Sequence, residues 1–395
     1  MGSSFDYDVI IAGGGPAGSS AAIHLAAAGA RVLLAEQKEF PRAKLCGEFI
    51  SPECVLHFEQ LGVADRMLAA QPSSLTETVF FARNGRSVSV PSSWFGAHGI
   101  ALGLSRAEMD ERLLRRASEI GVDVLENAQA VNVILEDHSV RGAVVKSGKR
   151  ETYYRAPVTI DATGRTRSLA RHIEQKSASE PRQATLVAFK AHLENTRVAN
   201  GACEIYFYRS GYGGLSTIEN GLSNLCFIAS ADDVRKCGTD AERVMREVVC
   251  QNRRAADALK TARVSTPWLA VSLERFGRRS VRPANGLLTI GDAASFIDPF
   301  TGSGMLMALE TGELAAHAIV DRLDKVRNGR EIGALGQQYR ALYKQRFDLR
   351  LRLCSMMRRA AFVPGLAGFA IACSRASRLL RRSVTRATRF GLQTD

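Results

Sequence analysis

Residues 6–36 read DYDVIIAGGGPAGSSAAIHLAAAGARVLLAE, and the order of residue types in this stretch decides the fold. Asp8–Ala12 is an apolar run of strand length, and Gly13, Gly15 and Gly18 follow it at once as GxGxxG. Ala17–Ala28 is built mostly of alanine, the residue with the highest helix propensity. Arg31–Glu36 is nearly continuous in apolar residues and ends in an acid, as expected of a parallel strand buried on both faces. Strand, glycine turn, helix and second strand make a βαβ unit.

Such a turn has a chemical use. One glycine makes the tight bend, one lets a pyrophosphate approach the backbone, and one lets the helix pack on the strand. The helix start at Pro16 and Ala17 presents unpaired N–H groups and a positive dipole end to the phosphates. Glu36 lies eighteen residues beyond Gly18 at the end of the second strand, where a carboxylate can accept from the ribose hydroxyls of an unphosphorylated adenosine. Gly13, Gly15, Pro16, Ala17, Gly18 and Glu36 are therefore the expected dinucleotide contacts. By itself this segment does not separate FAD from NAD.

Outward from the unit, the pattern changes twice. Leu104–Ile120 carries Leu, Met and Ile at helical spacing. Thr76–Ser89 and Leu186–Ile228 instead alternate as strands do, with turns such as Glu219–Asn220–Gly221. Leu287–Ile290 is a further short buried strand, followed by a glycine-rich loop and a helix to about Leu323. The expected architecture is α/β, a Rossmann-type FAD-binding domain with an inserted β-sheet substrate domain and a helical C-terminal segment. The cofactor domain would comprise 1–75, 100–170 and 283–330, the β-rich domain 76–99 and 171–282, and the basic helical segment 331–395.

Two later motifs accompany the first. Asp161–Gly164 reads DATG, followed by Arg165 and Ser168, and residues 286–305 read GLLTIGDAASFIDPFTGSGM. With Arg106 in LSRAEMDERL, these resemble the flavoprotein hydroxylase superfamily over about residues 6 to 323. The resemblance implies that Asp161 and Gly164 lie near the cofactor pyrophosphate, that Asp292 binds the ribityl chain, and that Arg106 lies near the flavin or its phosphates. It further implies cofactor contacts from Gln37, Arg42, Gly47, Val131, Pro299 and Met305, with Gly302 and Gly304 letting the backbone approach the isoalloxazine. The cofactor so implied is FAD.

Pro41–Ser51, PRAKLCGEFIS, together with DPFTGSGM at 298–305, resembles the geranylgeranyl reductase branch. In that branch the cysteine lies on the flavin's substrate side, so Cys46 is the candidate catalytic residue, as a proton donor or a pocket-shaping group. The likeness implies hydride reduction of a carbon–carbon double bond in an apolar, isoprenoid-like molecule. One departure is Gly211–Leu215, GYGGL, with Gly214 where the branch often has tryptophan, which implies a pocket of different shape. The alternative is NAD(P)H-dependent hydroxylation of an aromatic or polyketide-like compound, since the superfamily's FAD motifs serve both reactions. Halogenases of the superfamily carry WxWxIP, and the two tryptophans here, Trp94 and Trp268, stand far apart. With no second GxGxxG after a strand, electrons are expected from NAD(P)H visiting the flavin or from a redox protein.

Composition agrees with an ordinary globular enzyme: 46% hydrophobic, 24% charged, and eight cysteines without CxxC or metal-ligand spacing. No metal is expected, and the cytoplasm is the default compartment. The formal charge of +13 is concentrated at one end, with thirteen Lys and Arg against two Asp from Arg340 to Asp395. Arginine clusters around the apolar run Ala360–Ser374, broken by Pro364, suit peripheral contact with an anionic membrane face; they equally suit a helical pair packed on the body with its arginines in water. Nothing resembles a nucleic-acid recognition motif.

Overall fold

The computed structural model describes residues 5–95, 99–174, 185–273, 276–297 and 302–361, with side chains described to residue 356. Pro299 and residues 362–395, including most of the basic segment, lie outside these.

The βαβ unit forms the centre of a five-stranded parallel sheet, in the spatial order Leu287–Thr289, Val158–Asp161, Val9–Ala12, Val32–Ala35, Asp123–Leu125. Val9 pairs with Val32 on one side and Val158 on the other, and Leu287 pairs with Thr159. Val9–Ala12 and Val32–Ala35 are buried throughout because helices cover the sheet. The first helix, Pro16–Ala27, packs against the late helix Gly304–Val320 so closely that a Cβ on Gly312 would come within 2.4 Å of the Ala17 carbonyl oxygen. The two ends of the chain thereby form one module around one core. A three-stranded antiparallel sheet, residues 128–155, crosses from the strand Asp123–Leu125 to the strand Val158–Asp161.

The second large sheet has eight strands. Leu186–Glu194, Ser223–Ser230, Gly211–Thr217 and Ala202–Tyr208 run antiparallel, and Glu77–Phe81 joins parallel to Ala202–Tyr208. Alternation gives this sheet two different faces. Phe189, Ala191, Leu193, Tyr206, Leu225 and Phe227 pack under three short helices between Ala231 and Ala258. These helices were not expected from the β-rich pattern, since each is only six or seven residues long. The opposite face carries Ala188, Lys190 and His192, then Asn224, Cys226 and Ile228, and it turns toward the cofactor module. The helix Ile332–Ala361 closes the back of that module, with the Tyr339 hydroxyl donating to the Thr289 carbonyl at 2.8 Å and Tyr343 to Ser295 at 2.8 Å. None of the described helices is long and apolar enough to cross a membrane.

Candidate active site

The glycine turn sits at the C-terminal edge of the parallel sheet. Gly13 has φ 108°, a conformation that favours glycine, and a Cβ there would strike the Ala162 carbonyl oxygen at 2.5 Å. A Cβ on Gly18 would come within 1.9 Å of the Gly13 carbonyl oxygen, so this glycine is needed for helix-on-strand packing. Gly15 faces open space, and its added Cβ would meet only guanidinium nitrogens, Arg106 Nη2 at 3.8 Å and Arg42 Nη2 at 3.9 Å. Pro16 opens the helix, where its missing N–H costs nothing. Glu36 is buried and accepts from the Gly14 N–H at 2.8 Å and the Lys38 N–H at 3.0 Å. Each carboxylate oxygen keeps a second lone pair for a ribose hydroxyl. Gln37 is exposed beside it. Val131 lies partly buried on the strand Ala128–Glu136, whose first N–H is held by the Glu36 carbonyl at 2.8 Å.

Four cationic side chains surround this cleft. Asp110, fully buried on the helix Arg106–Glu119, takes Arg106 through Nε at 2.7 Å and Nη2 at 2.6 Å. The same carboxylate lies 3.3 Å from Arg42 Nη1. Burial opposes the Arg106 charge, but Asp110 overrides it, with the Cys46 sulfur adding, and raises the pKa. Lys44 and Arg165 complete the group. Desolvation lowers both, reinforced at Lys44 by Arg106 and Arg42 and opposed at Arg165 by Asp292. Lys44 keeps accessible surface because the cleft is open, although protein surrounds it.

Asp292 stands at the turn after the strand Leu287–Thr289. Desolvation raises its pKa, with Arg165, Lys44 and Arg106 pulling it back. Beyond it Gly302 has φ 60°, and Gly304, at the start of the helix Gly304–Val320, has nothing within 4 Å of an added Cβ. Met305 is buried in the module core. Crowded cations, an open backbone at Gly15 and Gly304, and the carboxylates of Glu36 and Asp292 fit a dinucleotide with two pyrophosphate charges. FAD is such a group.

The Asp161 carboxylate shapes its own loop. Its Oδ1 accepts from the Thr163 N–H at 3.0 Å and hydroxyl at 2.6 Å, and its Oδ2 from the Leu169 and Ala170 N–H groups at 3.1 and 2.8 Å. The carboxylate is consumed in shaping the DATG turn and capping the helix Ser168–Glu174. Gly164, φ 72° with open space before it, is the part of the motif that offers an approach.

Cys46 lies between the cleft and the inner face of the large sheet. It is half-buried; its sulfur accepts from the Glu48 N–H at 3.5 Å, and its carbonyl accepts from Asn224 Nδ2 at 3.1 Å. Gly47 is exposed, with open space before it. Next to these, Glu48 is wholly buried with Lys190 Nζ at 2.6 Å and His192 Nε2 at 2.7 Å. Burial alone would raise the Glu48 carboxyl, but the His192 hydrogen bond and the Lys190 charge hold it below the usual range. In sheet register Cys226 stands opposite both Lys190 and Gly214. Gly214 therefore faces inward, with Ile205 Cδ1 3.2 Å from an added Cβ. Sequence reasoning missed Asp110, Lys44, Glu48, Lys190 and His192. The first three sit inside quoted motifs, and an acid or base among apolar strand residues, as at Lys190, was the available signal.

A dinucleotide turn, a cationic cleft and a facing substrate sheet together define an FAD-dependent oxidoreductase. The chain belongs to the FAD binding domain family, whose profile it matches over residues 6–342. It is 27% identical to the menaquinone reductase of Mycolicibacterium smegmatis over 341 residues, 78% of this chain and 75% of that one. It is 26% identical to the digeranylgeranylglycerophospholipid reductase of Methanosarcina mazei over 322 residues, 80% and 76% of the two chains. For other curated relatives the match covers as little as 66% of one and as much as 84% of another. Among solved structures, a geranylgeranyl bacteriochlorophyll reductase-like protein of Thermoplasma acidophilum superposes with TM-score 0.78 at 22% identity, covering 96% and 95% of the chains. A flavin-dependent brominase superposes almost as well, TM-score 0.77 at 22% identity over 97% and 93%, so this similarity shows the fold alone.

Proposed function

We propose that the protein reduces a carbon–carbon double bond in an apolar, isoprenoid-like substrate. The observation that carries the reading is the apolar cluster on the inner face of the large sheet. It joins Phe207, Tyr212 and Ile228 of the sheet to Leu45, next to Cys46, and to Phe276 and Phe296 from the cofactor side. Bound in the cleft, FAD would supply the two-electron chemistry, a hydride equivalent. The residues of the chain exclude water, align the apolar substrate and hold a proton at Cys46 Sγ for the second carbon. Relatives named as reductases of menaquinone and of digeranylgeranylglycerophospholipid support this reading. NAD(P)H or a redox protein would deliver the electrons. The basic C-terminal segment would bring the protein to an anionic membrane face where such substrates reside, and sedimentation with and without anionic vesicles tests that contact.

The second reading, hydroxylation of an aromatic compound, draws on Phe276 and Phe296, which stack at 4.9 Å and 14° beside the cluster and could flank a flat ring. Product mass separates the two. Incubation with dithionite and a polyprenyl compound without oxygen adds two hydrogens if the first reading holds. Gain of one oxygen atom by an aromatic compound, only with NAD(P)H and air, would replace it with the second.

A further inference from the structure

The Lys190–Glu48–His192 cluster is not part of the cofactor cleft, yet it is the most fully buried charged group at the substrate side. Lys190 is 2% exposed and Glu48 0%. Glu48 holds a left-handed backbone, φ 52°, which non-glycine residues rarely adopt unless their surroundings enforce it. Its surroundings do so from several directions. Oε1 takes the Lys190 ammonium at 2.6 Å and the Arg106 backbone N–H at 2.9 Å, while Oε2 takes His192 at 2.7 Å. The Glu48 carbonyl accepts from the Leu104 N–H at 3.3 Å.

One side chain thus ties three pieces together: the loop bearing Cys46, the first turn of the helix that carries Arg106 and Asp110, and the strand Leu186–Glu194 of the substrate sheet. An apolar contact would join these pieces with less desolvation. What a buried, hydrogen-bonded ion pair adds is direction, because it is satisfied in only one geometry. The neighbouring strand adds the Asn224 amide on the Cys46 carbonyl, and the Glu48 N–H reaches the Cys46 sulfur. Cys46 is consequently fixed at both its main chain and its thiol, beside the Arg106 guanidinium.

We infer that Glu48, Lys190 and His192 form a positioning device for Cys46, clamping its thiol between the cofactor cleft and the substrate sheet. This rests on the proposed role of Cys46 at the pocket but not on the identity of the substrate. Lys190 and His192 act through Glu48 and touch no reacting atom.

The test is the rate at which iodoacetamide alkylates Cys46 in the FAD-loaded protein at fixed pH, followed by peptide mass mapping, in the parent, Lys190→Met and Lys190→Arg. Removing one partner of a buried pair changes that rate by about tenfold or more, and Lys190→Arg, which keeps a cation, brings it back toward the parent value. Where a double bond is reduced, Lys190→Met also lowers kcat while leaving KM nearly unchanged. If Lys190→Met does not fold, Glu48→Gln with Lys190→Met removes both charges together, and the same change in alkylation is expected. An alkylation rate unaltered in the folded variant, with full FAD content, overturns the clamp. The expected alkylation pattern across the three proteins, with no double bond reduced by the parent, leaves the clamp standing and removes the reductase reading.

Discussion

Asp110 grips Arg106 in a two-toothed pair, 2.7 Å to Nε and 2.6 Å to Nη2, and so holds the guanidinium over Gly15. Asp110 faces no open space itself, being fully buried, yet it sets the direction of both Arg106 and Arg42. Asp110→Ala removes the counter-ion of the partly buried Arg106 and leaves Arg42 only Glu36, at 3.7 Å, and is expected to cost about 3 kcal/mol of stability. Urea denaturation of the apo-protein measures this. FAD affinity falls in the same variant although the substituted atoms do not reach the cofactor.

Gly15 and Gly18 are expected to fail differently. Gly15→Ala places a methyl in open space, with only guanidinium nitrogens 3.8 and 3.9 Å away, so folding is preserved while the pyrophosphate's path is blocked. Gly18→Ala drives a methyl to 1.9 Å from the Gly13 carbonyl oxygen, so the βαβ unit itself is disrupted. Thermal midpoints and bound-flavin absorbance, read together, separate the two: normal midpoint without flavin for Gly15→Ala, lowered midpoint for Gly18→Ala.

The crowded cleft carries its charges at a cost to the empty protein. Asp292 is raised by desolvation and Lys44 lowered by desolvation and by its arginine neighbours, so each charged form is disfavoured in the folded apo-protein near neutral pH. Asp292→Asn is therefore expected to raise the apo-protein's melting temperature, while Lys44→Met, at a solvent-exposed side chain, leaves it nearly unchanged. Both weaken FAD binding, by about tenfold or more for loss of a charge-assisted hydrogen bond. Calorimetry of apo and FAD-loaded samples checks the opposite signs at Asp292. An unchanged FAD affinity in Asp292→Ala would remove Asp292 from the cleft's chemistry.

Glu48 should impose an acid limit. Its folded pKa lies below the ordinary 4.5, so its contribution to stability is complete above that value and is lost as pH falls through the lowered folded pKa. Glu48→Gln is expected to be less stable than the parent near pH 7. The gap narrows as pH falls below about 4.5, where the unfolded chain's carboxylate begins to protonate while the folded one stays ionised down to its lower pKa. Denaturation midpoints across that range test the sign.

The cofactor half of the fold was legible because its constraints are local. Strand, glycine turn, helix and acid in 6–36 each have a residue-level cause, and the parallel sheet with its added β-sheet followed. The FAD assignment rested on later motifs that resemble a known superfamily, and the family match carries it. What was illegible depends on contacts between distant segments. Glu48 meets Lys190 and His192 across more than 140 residues, and Asp110 meets Arg42 across the cleft. The superfamily resemblance of DATG implies that Asp161 lies near the pyrophosphate; that its carboxylate also holds its own turn is a matter of local hydrogen bonding that the letters do not reveal. The three short helices behind the large sheet were missed because six or seven residues show too little periodicity.

The most direct test of the central claim follows the flavin absorbance of the purified protein after anaerobic reduction, by NADPH and separately by dithionite. The reduced protein is mixed in a stopped-flow instrument with an unsaturated prenyl lipid, with an aromatic compound plus oxygen, or with oxygen alone. Rapid anaerobic reoxidation by the lipid and slow, featureless reoxidation by oxygen are expected. Reduction by NAD(P)H that is accelerated by the aromatic compound, followed by fast oxygen-dependent reoxidation and no response to the lipid, would contradict the reductase reading.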